Sequence, residues 1–426
     1  MRDEKTLYWI WLSERCGAAS KEFGRLAEKY DDPFDIYRLE EEEIEHLEGI
    51  GNALKGRLCD KSLDSAYSIV RYCQENRVDI ITYGSDKYPD RLKRIETPPV
   101  LLYCLGRFPD FNNRLCIGMV GTRKMSEYGK TSAYKISYEL AAAKAVVVSG
   151  MALGVDAVAA CGAIEGGGET VAVLGSGLAV VYPREHAKLM KAIVRRGAVI
   201  SEYPPFERPF PQNFPKRNRI ISGLSQGVVV VEGDIGSGAL ITASKAVSQG
   251  REVFAVPGKV SESNSNGPNE LIKSGANVSL SADDVIGHYD FLYHDVINYR
   301  AFSAAKRKSE LHDGALRAYG VSSVYGKVRR ESTDKAEAER PEITTAAVAQ
   351  EPKKEEAPLT DKAARAYEGM DDRTKEIYTL LPEGESFTPD VLAAKGVDIG
   401  SIMTALTILE IEGLVTSLPG GMYKKA

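Results

Sequence analysis

Between about residues 83 and 289 the chain alternates short, continuous apolar runs with longer stretches of helical spacing, and this alternation limits the fold more than any other feature. The runs are VLLYCL (100–105), LCIGMV (115–120), AVVV (145–148), TVAVL (170–174), AVIS (198–201), GVVVV (227–231) and EVFAV (252–256). A strand that is apolar on both faces must be covered on both faces. Strands that alternate with helices pair in parallel. The sequence therefore predicts an α/β domain over residues 81–295, with a Rossmann-like parallel sheet between two layers of helices.

The regions on either side of this domain have a different composition. Residues 1–80 combine helical spacing with a tight Gly49-Ile50-Gly51 turn, which predicts a small helical domain of the SAM or helix-hairpin-helix kind. Residues 296–362 are rich in Lys, Glu, Ala and Pro, which predicts a charged and disordered linker. Residues 363–426 regain helical spacing and end in a hairpin pattern, which predicts a winged-helix domain.

Charge and cysteine usage limit the classes of function. The net charge of −5 at pH 7 argues against a surface covered in nucleic-acid-binding charge, but it permits one local basic groove. None of the six cysteines forms a CxxC pair, which is typical of a reduced, cytoplasmic protein. The amino terminus does not have the pattern of a signal peptide, and no apolar run approaches the ~18 residues that a membrane span needs.

Glycine-containing loops follow four of the predicted strands. They are Gly121-Thr122-Arg123, Ser149-Gly150, Gly175-Ser176-Gly177 and Gly236-Ser237-Gly238. Loops of this kind bring backbone amides and helix amino termini to the carboxyl edge of a sheet, where they bind phosphate oxygens. A tight turn is a sufficient explanation for any one of them, but the four together favour an anion-binding site.

A cluster of cations lies in the stretch FPKRNRIISGLS. The cluster consists of Lys216, Arg217 and Arg219, with Asn218 among them. A proline-rich passage precedes them, so we expect the cations at the surface, where a helix begins near Ile220. Cations at a helix amino terminus are unfavourable, and a polyanionic ligand would offset them. The alternative for any single arginine is an internal ion pair, with Glu202 or Glu232 as the partner.

The motifs of several enzyme classes are missing. The sequence has no GxxxxGK[ST] loop, no GxGxxG after the first strand and no GxSxG nucleophile elbow. The histidines do not show metal-ligand spacing. The sequence therefore predicts a binding surface rather than an enzyme, with no cofactor and no metal.

Seven segments of the chain resemble, in order, the motifs of the DprA/Smf family of DNA-processing proteins. They are GTRKMSEYG, VSGMALGVDAVAACGAI, TVAVLGSGLAVVYP, ISEYPP, FPKRNRIISGLSQGVVVVE, GSGALITASKAVSQGREVFAVPG and SNGPNELIKSGA. The resemblance implies a Rossmann-like domain that binds and protects single-stranded DNA as a homodimer. It also implies that the protein loads the recombinase RecA onto that strand during natural transformation, without catalysis.

The resemblance also indicates which residues form the DNA-binding pocket. Carried over by position, the pocket consists of Gly121, Thr122, Arg123, Ser149, Gly150, Arg217, Asn218 and Arg219, with Gly236, Ser237 and Gly238 at its rim. The chain departs from the family pattern at Leu153, Ala160, Ala179 and His186. Leu153 removes a possible phosphate contact. Tyr128, Tyr203 and Phe206 are candidate stacking faces for bases, or else parts of the core.

Two other functions stay open at this point. One is a scaffold that binds small nucleotides as a regulatory signal. The other is a nucleoside-monophosphate hydrolase of a related Rossmann-like group, whose PGGxGTxxE signature is replaced here by GDIGSGALITASKA, without the glutamate. For the amino-terminal domain, protein contact and weak DNA binding are equally favoured. The predicted third helix of the winged-helix domain has no Lys or Arg, which favours protein contact over duplex binding.

Overall fold

The computed structural model describes residues 2–311, 313–321, 372–382, 386–393, 397–411, 414–418 and 422–425. The chain divides into two compact units, Met1–Val321 and Ser322–Ala426, and each is described by itself. Among the described residues, none of the helices combines the length and the apolar character that crossing a bilayer requires.

Six helices form the first part of the larger unit. They are α1 (Arg2–Cys16), α2 (Lys21–Lys29), α3 (Pro33–Tyr37), α4 (Glu41–Glu45), α5 (Asn52–Cys59) and α6 (Asp64–Glu75). The Ser20 side chain caps α2 by accepting a hydrogen bond from the amide of Phe23. Trp11 on α1 and Leu54 on α5 are fully buried, so these helices share one apolar core. The described residues of this region are mostly helical, and a small domain of the SAM or helix-hairpin-helix kind stays a prediction.

Nine strands form one sheet. They are β1 (Val78–Thr82), β2 (Leu101–Gly106), β3 (Cys116–Val120), β4 (Val146–Ser149), β5 (Thr170–Leu174), β6 (Ala198–Ser201), β7 (Gly227–Val230), β8 (Glu252–Ala255) and β9 (Asn277–Val278). Their order is β1-β2-β6-β5-β4-β3-β7-β8-β9. All seven predicted strands are present, and every residue of β3, β4, β5, β6 and β7 is buried, as continuous apolar runs require.

The sequence predicts a parallel sheet, but the sheet is only mostly parallel, because β2 runs antiparallel to both of its neighbours. It pairs antiparallel with β1 and with β6, whereas the strands from β6 to β9 are parallel to one another. An apolar run indicates burial and not direction, so the sequence pattern could not show this reversal.

Helices cover both faces of the sheet. They are α7 (Asp90–Lys93), α8 (Glu127–Ala142), α9 (Val155–Glu165), α10 (Ala187–Arg196), α11 (Asn213–Leu224), α12 (Gly238–Ser248), α13 (Ser263–Lys273) and α14 (Ala282–Tyr293). Two apolar cores result, one on each side of the strands. The strand order turns at β3, since the chain continues from β3 to β4 on one side and returns later as β7 on the other. Ligands bind at such a switch point in open α/β sheets, outside the carboxyl ends of the strands.

Two further helices belong to the same unit: α15 (Tyr299–Ala305) and α16 (Asp313–Ala318). Phe302 and Leu316 are buried, and the buried Ser309 hydroxyl donates to a Glu139 carboxylate oxygen on α8 at 2.7 Å. The prediction of a disordered linker is therefore wrong from residue 296 to 321. The average composition of this segment is polar, but a few of its apolar side chains are buried. The rest of it lies outside the described residues.

Among its described residues, the second unit has three helices and a small sheet. The helices are Asp372–Thr379, Pro389–Ala393 and Ile399–Ile411. Three strands, Ser386–Phe387, Val415–Leu418 and Met422–Lys425, form an antiparallel sheet with the last strand in the middle. Its apolar residues, among them Ile377, Leu406 and Tyr423, form a separate core.

Candidate nucleic-acid interface

A cavity of about 320 Å³ lies at the carboxyl ends of β3, β4 and β5. Its lining residues are Arg123, Gly150, Ala152, Leu153, Leu174, Gly175, Ser176, Tyr182, Pro183, Arg184, Glu185 and Phe214. The glycine loops predicted after β3, β4 and β5 therefore do come together. The cavity combines cations, backbone groups and aromatic rings, which is the chemistry that phosphates and bases require.

Phe214 is the central aromatic residue of the cavity. The Cζ atom of Arg123 lies 5.7 Å from the centre of its ring, and that of Arg217 lies 5.9 Å away. The Tyr182 ring is 5.5 Å from it, centroid to centroid. Phe214 also packs where a side chain at Gly175 would be, since an added Cβ there would lie 2.9 Å from the Phe214 ring. Two guanidinium groups thus lie within about 6 Å of one aromatic ring.

Arg217 is buried, contrary to the surface position that the sequence predicts. Its guanidinium donates to the carbonyl oxygen of Gly150 at 2.9 Å and to that of Val173. At Gly150, an added Cβ would lie 2.5 Å from the guanidinium, so only glycine permits this approach. Burial lowers the pKa of Arg217 to about 10, and the nearby Asp156 carboxylate partly opposes that effect. Arg217 therefore ties α11 to the ends of β4 and β5.

Asp156 lies beneath the cavity, in the first turn of α9. Its carboxylate accepts hydrogen bonds from the amides of Gly150 at 3.0 Å and Ala152 at 3.4 Å. Burial raises its pKa, while Arg217 and these amides act in the opposite direction. The carboxylate therefore fixes the backbone of the loop after β4 through these two hydrogen bonds.

Arg219 is buried as well, and its partner is internal. It forms an ion pair with Glu202, with Nη2 2.5 Å and 2.6 Å from the two carboxylate oxygens. Both side chains are about 95% buried. The ion pair named as an alternative for one arginine is therefore present for Arg219, and the predicted surface position is wrong.

The helix that holds these cations begins earlier than predicted. It starts at Asn213 rather than near Ile220, so the cations lie within α11 and not ahead of it. The proline-rich passage ends just before the helix, and Pro215 is tolerated in its first turn, where backbone N–H groups have no helical partner. The cations therefore do not precede the helix amino terminus, and the expected need for an anion to offset them there is wrong.

Three cations at or beside the cavity are exposed: Arg123 and Arg184, which line it, and Lys216, two residues after Phe214. Within the described part of the chain, no carboxylate forms an ion pair with any of them. Their charge is available to a ligand.

The remaining predicted site residues support the cavity or lie beside it. The amide of Thr122 donates to the Glu232 carbonyl at 2.7 Å, and the Ser149 hydroxyl donates to the Met119 carbonyl at 2.8 Å. Gly121 leaves no room for a side chain, since an added Cβ would lie 2.5 Å from Val155.

The Gly236-Ser237-Gly238 loop opens α12 and does not line the cavity. It is joined to α11 where the Asn218 amide donates to the Gly238 carbonyl at 3.4 Å, so it forms a rim at most.

Three lining residues were not predicted as site residues: Phe214, Tyr182 and Arg184. Phe214 lies next to the cation cluster in sequence and Tyr182 is the next-to-last residue of a family motif, so this proximity was the available signal. Of the candidate stacking residues, Tyr203 is buried. Tyr128 and Phe206 are exposed, but neither lines the cavity.

The four departures from the family pattern differ in position. Leu153 lines the cavity, whereas Ala160 is buried within α9 and does not. Ala179 donates its amide to the carbonyl of Pro205 at 2.8 Å. His186 is fully buried with Nδ1 3.0 Å from the Met151 carbonyl, and burial lowers its pKa.

The fold and the cavity define a Rossmann-like α/β protein with a cationic, aromatic site at the carboxyl edge of its sheet. Residues 79–290 match the family model described as DNA recombination-mediator protein A. The DNA processing protein DprA of Bacillus subtilis (strain 168) is 41% identical over 212 residues, which cover 50% of this chain and 71% of that protein. The chain therefore belongs to the DprA/Smf family.

Two further comparisons cover more of the chain. Protein Smf of Synechocystis is 28% identical over the full length of both proteins. The X-ray structure of DprA from Streptococcus pneumoniae superposes with a TM-score of 0.56 at 32% identity, covering 66% of this chain and 97% of that one.

Proposed function

We propose that this protein binds single-stranded DNA as a recombination mediator, protecting the incoming strand and loading RecA onto it during natural transformation in the cytoplasm. One observation carries the proposal: the exposed guanidinium of Arg123, which forms no ion pair among the described residues, lies over the ring of Phe214 at a cavity of about 320 Å³. The names of the relatives, DNA processing protein and recombination-mediator protein, support it.

The chemistry of the cavity suits a single strand better than a duplex. A base can stack on an aromatic face only when it is not already stacked in a helix, and such stacking is worth about 1–3 kcal/mol per base without distinguishing sequence. Exposed cations beside the ring meet the phosphates, again without reading bases. We propose that Phe214 and Tyr182 meet bases while Arg123, Arg184 and Lys216 meet phosphates.

We propose a binding role without catalysis. The segment that opens α12 lacks the glutamate of the related hydrolase signature, and the carboxylate of Asp156 is engaged beneath the cavity by two backbone amides. The nucleotide-sensing scaffold is the competing proposal, and the binding experiment below distinguishes it.

We propose a homodimer that uses the β9 edge of the sheet. Large apolar side chains in β9 and in the segment that follows it are exposed: Val278, Leu280, Phe291 and Leu292. Phe291 is 95% exposed, and a monomer rarely leaves several such residues in water. Sedimentation equilibrium of wild type against Phe291→Glu measures this, and a wild type that stays monomeric at tens of micromolar contradicts it.

We propose that both flanking regions contact protein rather than DNA. In the SAM or helix-hairpin-helix-like region over 1–80, the Gly51 amide that a phosphate would meet donates to Glu22 Oε1 at 2.6 Å. In the winged-helix domain proposed for residues 363–426, the helix Ile399–Ile411 has no Lys or Arg. The Gly51 amide is therefore already engaged, and the helix Ile399–Ile411 presents no cation to a phosphate.

The test is fluorescence anisotropy of a labelled single-stranded oligonucleotide of about 20 nucleotides, measured across a salt series. We expect Arg123→Ala and Phe214→Ala to weaken binding, and Arg123→Ala also to make the salt dependence shallower by about one unit, since it removes one phosphate contact. Arg195→Ala, an exposed arginine on α10, is the matched control and should bind like wild type. Absence of binding by wild type, together with binding of AMP or ATP, would favour the nucleotide scaffold.

RecA loading needs its own measurement. We expect the protein to accelerate RecA filament formation on an oligonucleotide already covered by single-stranded DNA-binding protein. Equal rates with and without it would contradict the mediator role while leaving DNA binding intact.

A further inference from the structure

Glu232 lies at the switch point of the sheet, two residues beyond the end of β7. Strands β7 and β3 are neighbours, so this is the crevice in which open α/β folds bind their ligands. The Glu232 side chain is 97% buried there. A buried carboxylate requires donors, and none of the cations of α11 supplies them, although the sequence made Glu232 a candidate partner for one.

The donors come from the start of α8. The Glu232 carboxylate accepts hydrogen bonds from the amide of Ser126 at 2.8 Å and from the Ser126 hydroxyl. Ser126 is the residue that caps α8. An anion is stabilised at a helix amino terminus, which is also where a phosphate would bind. Here the protein's own carboxylate takes that position.

Gly129 shows how closely the carboxylate approaches the helix. A Cβ added at Gly129 would overlap the carboxyl group of Glu232. The crevice is therefore filled, and no space is left at the start of α8 for the phosphate of a mononucleotide.

The same residue holds the loop that carries Arg123. The backbone carbonyl of Glu232 accepts from the amide of Thr122 at 2.7 Å, while its carboxylate holds Ser126. Both ends of the loop 122–126 are thus fixed by one residue, with Arg123 between them.

Asn264 supports the middle of this loop. Its side-chain amide donates to the carbonyl of Lys124 at 2.9 Å and lies 3.5 Å from a Glu232 carboxylate oxygen. The backbone carbonyl of Asn264 accepts a hydrogen bond from the amide of Gly233 at 2.7 Å. The loop is held at three points, so the direction in which Arg123 leaves the backbone is set by Glu232 and Asn264.

We infer that Glu232 is a positioning residue for single-stranded DNA: an internal anion that closes the switch-point crevice to nucleotide phosphates and holds the Arg123 loop so that the strand binds at the neighbouring cavity. The inference rests on the proposed function and adds a residue that touches no DNA itself. The amino terminus of α8 is then occupied by the protein's own carboxylate, and the DNA strand binds at the carboxyl ends of β4 and β5.

Charge and position make opposite predictions for Glu232→Gln. Removing a negative charge near a polyanion site should tighten binding if charge alone matters. Losing the loop contacts should weaken it, because glutamine puts an NH2 donor where one of the two carboxylate oxygens accepts from Ser126. Without that contact, Arg123 is no longer directed at the cavity. Glu127→Gln is the control for charge: it removes the same charge from the first turn of the same helix, but Glu127 is 79% exposed and its carboxylate pairs with Lys130 at 2.6 Å.

The measurement is oligonucleotide affinity at constant ionic strength. We expect Glu232→Gln to bind on the order of tenfold more weakly, the effect of losing about one charge-assisted contact, while Glu127→Gln binds at least as tightly as wild type. Glu232→Ala should bind weakly in chloride and recover when formate replaces chloride, since formate can occupy the vacated carboxylate position; a general loss of folding would not recover in this way.

A second variant tests the loop without leaving buried charge unpaired. Asn264→Ala removes a half-exposed side chain and should also weaken binding. If Glu232→Gln and Asn264→Ala both bind like wild type or more tightly, the inference is overturned while the proposed function stands. If wild type itself does not bind the oligonucleotide, the proposed function fails first, and the two failures are distinguishable.

Discussion

Replacing Arg219 with methionine should unfold the larger unit more easily without changing how the folded protein binds DNA. Arg219 and Glu202 are each about 95% buried, and the guanidinium meets both carboxylate oxygens. Arg219→Met leaves Glu202 with the amide of Ala19, at 3.3 Å, as its remaining donor. Breaking a buried ion pair from one side costs about 3–5 kcal/mol, because a charge is left without compensation. That is a large part of the free energy of unfolding of a typical domain.

The double variant separates the pair from the packing. Glu202→Gln alone should also destabilise, because it leaves the Arg219 guanidinium buried with two further nitrogens, Nε and Nη1, that already lack partners. Removing both charges together should cost less than the sum of the two single changes, by about 1–3 kcal/mol. Such a coupling is the signature of a direct interaction.

The two tryptophans make the assay specific. Trp9 and Trp11 both lie in α1, within the larger unit, so the change in tryptophan fluorescence during a urea titration reports the unfolding of that unit. Oligonucleotide affinity is then measured well below the transition. If Arg219→Met unfolds at the same urea concentration as wild type but loses DNA binding, Arg219 is a phosphate ligand, and the buried ion pair is the wrong account.

Two further predictions concern buried titratable groups. Burial holds the pKa of His186 below its usual value of about 6.5, so the unfolded chain takes up a proton first as the pH falls, and the folded state loses stability through that range. Between pH 7.5 and 5.5 the free energy of unfolding of His186→Asn should therefore fall less than that of wild type, and equal losses would contradict this. Burial also raises the pKa of Cys16, Cys73 and Cys104 to about 12, so at pH 8 these thiols should resist alkylation until the protein is unfolded, and mass spectrometry should find the half-buried Cys59 labelled first.

The strands of the sheet were predictable because continuous apolar runs have one simple explanation, coverage on both faces. All seven predicted runs became strands. The two missed strands give no such signal: β1 alternates between buried and exposed positions, and β9 has two residues. The direction of β2 was beyond the reach of any pattern, because direction depends on how the chain reaches the strand.

The candidate site was predictable as a location but not in its division of roles. The glycine loops after β3, β4 and β5 meet at one cavity because the carboxyl ends of parallel strands share an edge. Phe214 was not singled out, since a phenylalanine before a proline is equally typical of a core. Glu202 and Glu232 were named together as ion-pair partners, and only the folded chain shows that one pairs with Arg219 and the other holds a helix start.

The early start of α11 explains why three neighbouring cations have three different surroundings. Successive residues of a helix point about 100° apart, so Arg217 and Arg219 point about 200° apart. Arg217 meets the backbone at the ends of β4 and β5, Arg219 meets Glu202, and Lys216 faces water. Had the helix begun at Ile220, all three would have extended from a loop toward one ligand. Because it begins at Asn213, two buried arginines fix the helix against the rest of the domain. The fixed helix holds the Phe214 ring in the cavity. There the cation that is free to meet a phosphate is Arg123, from another loop.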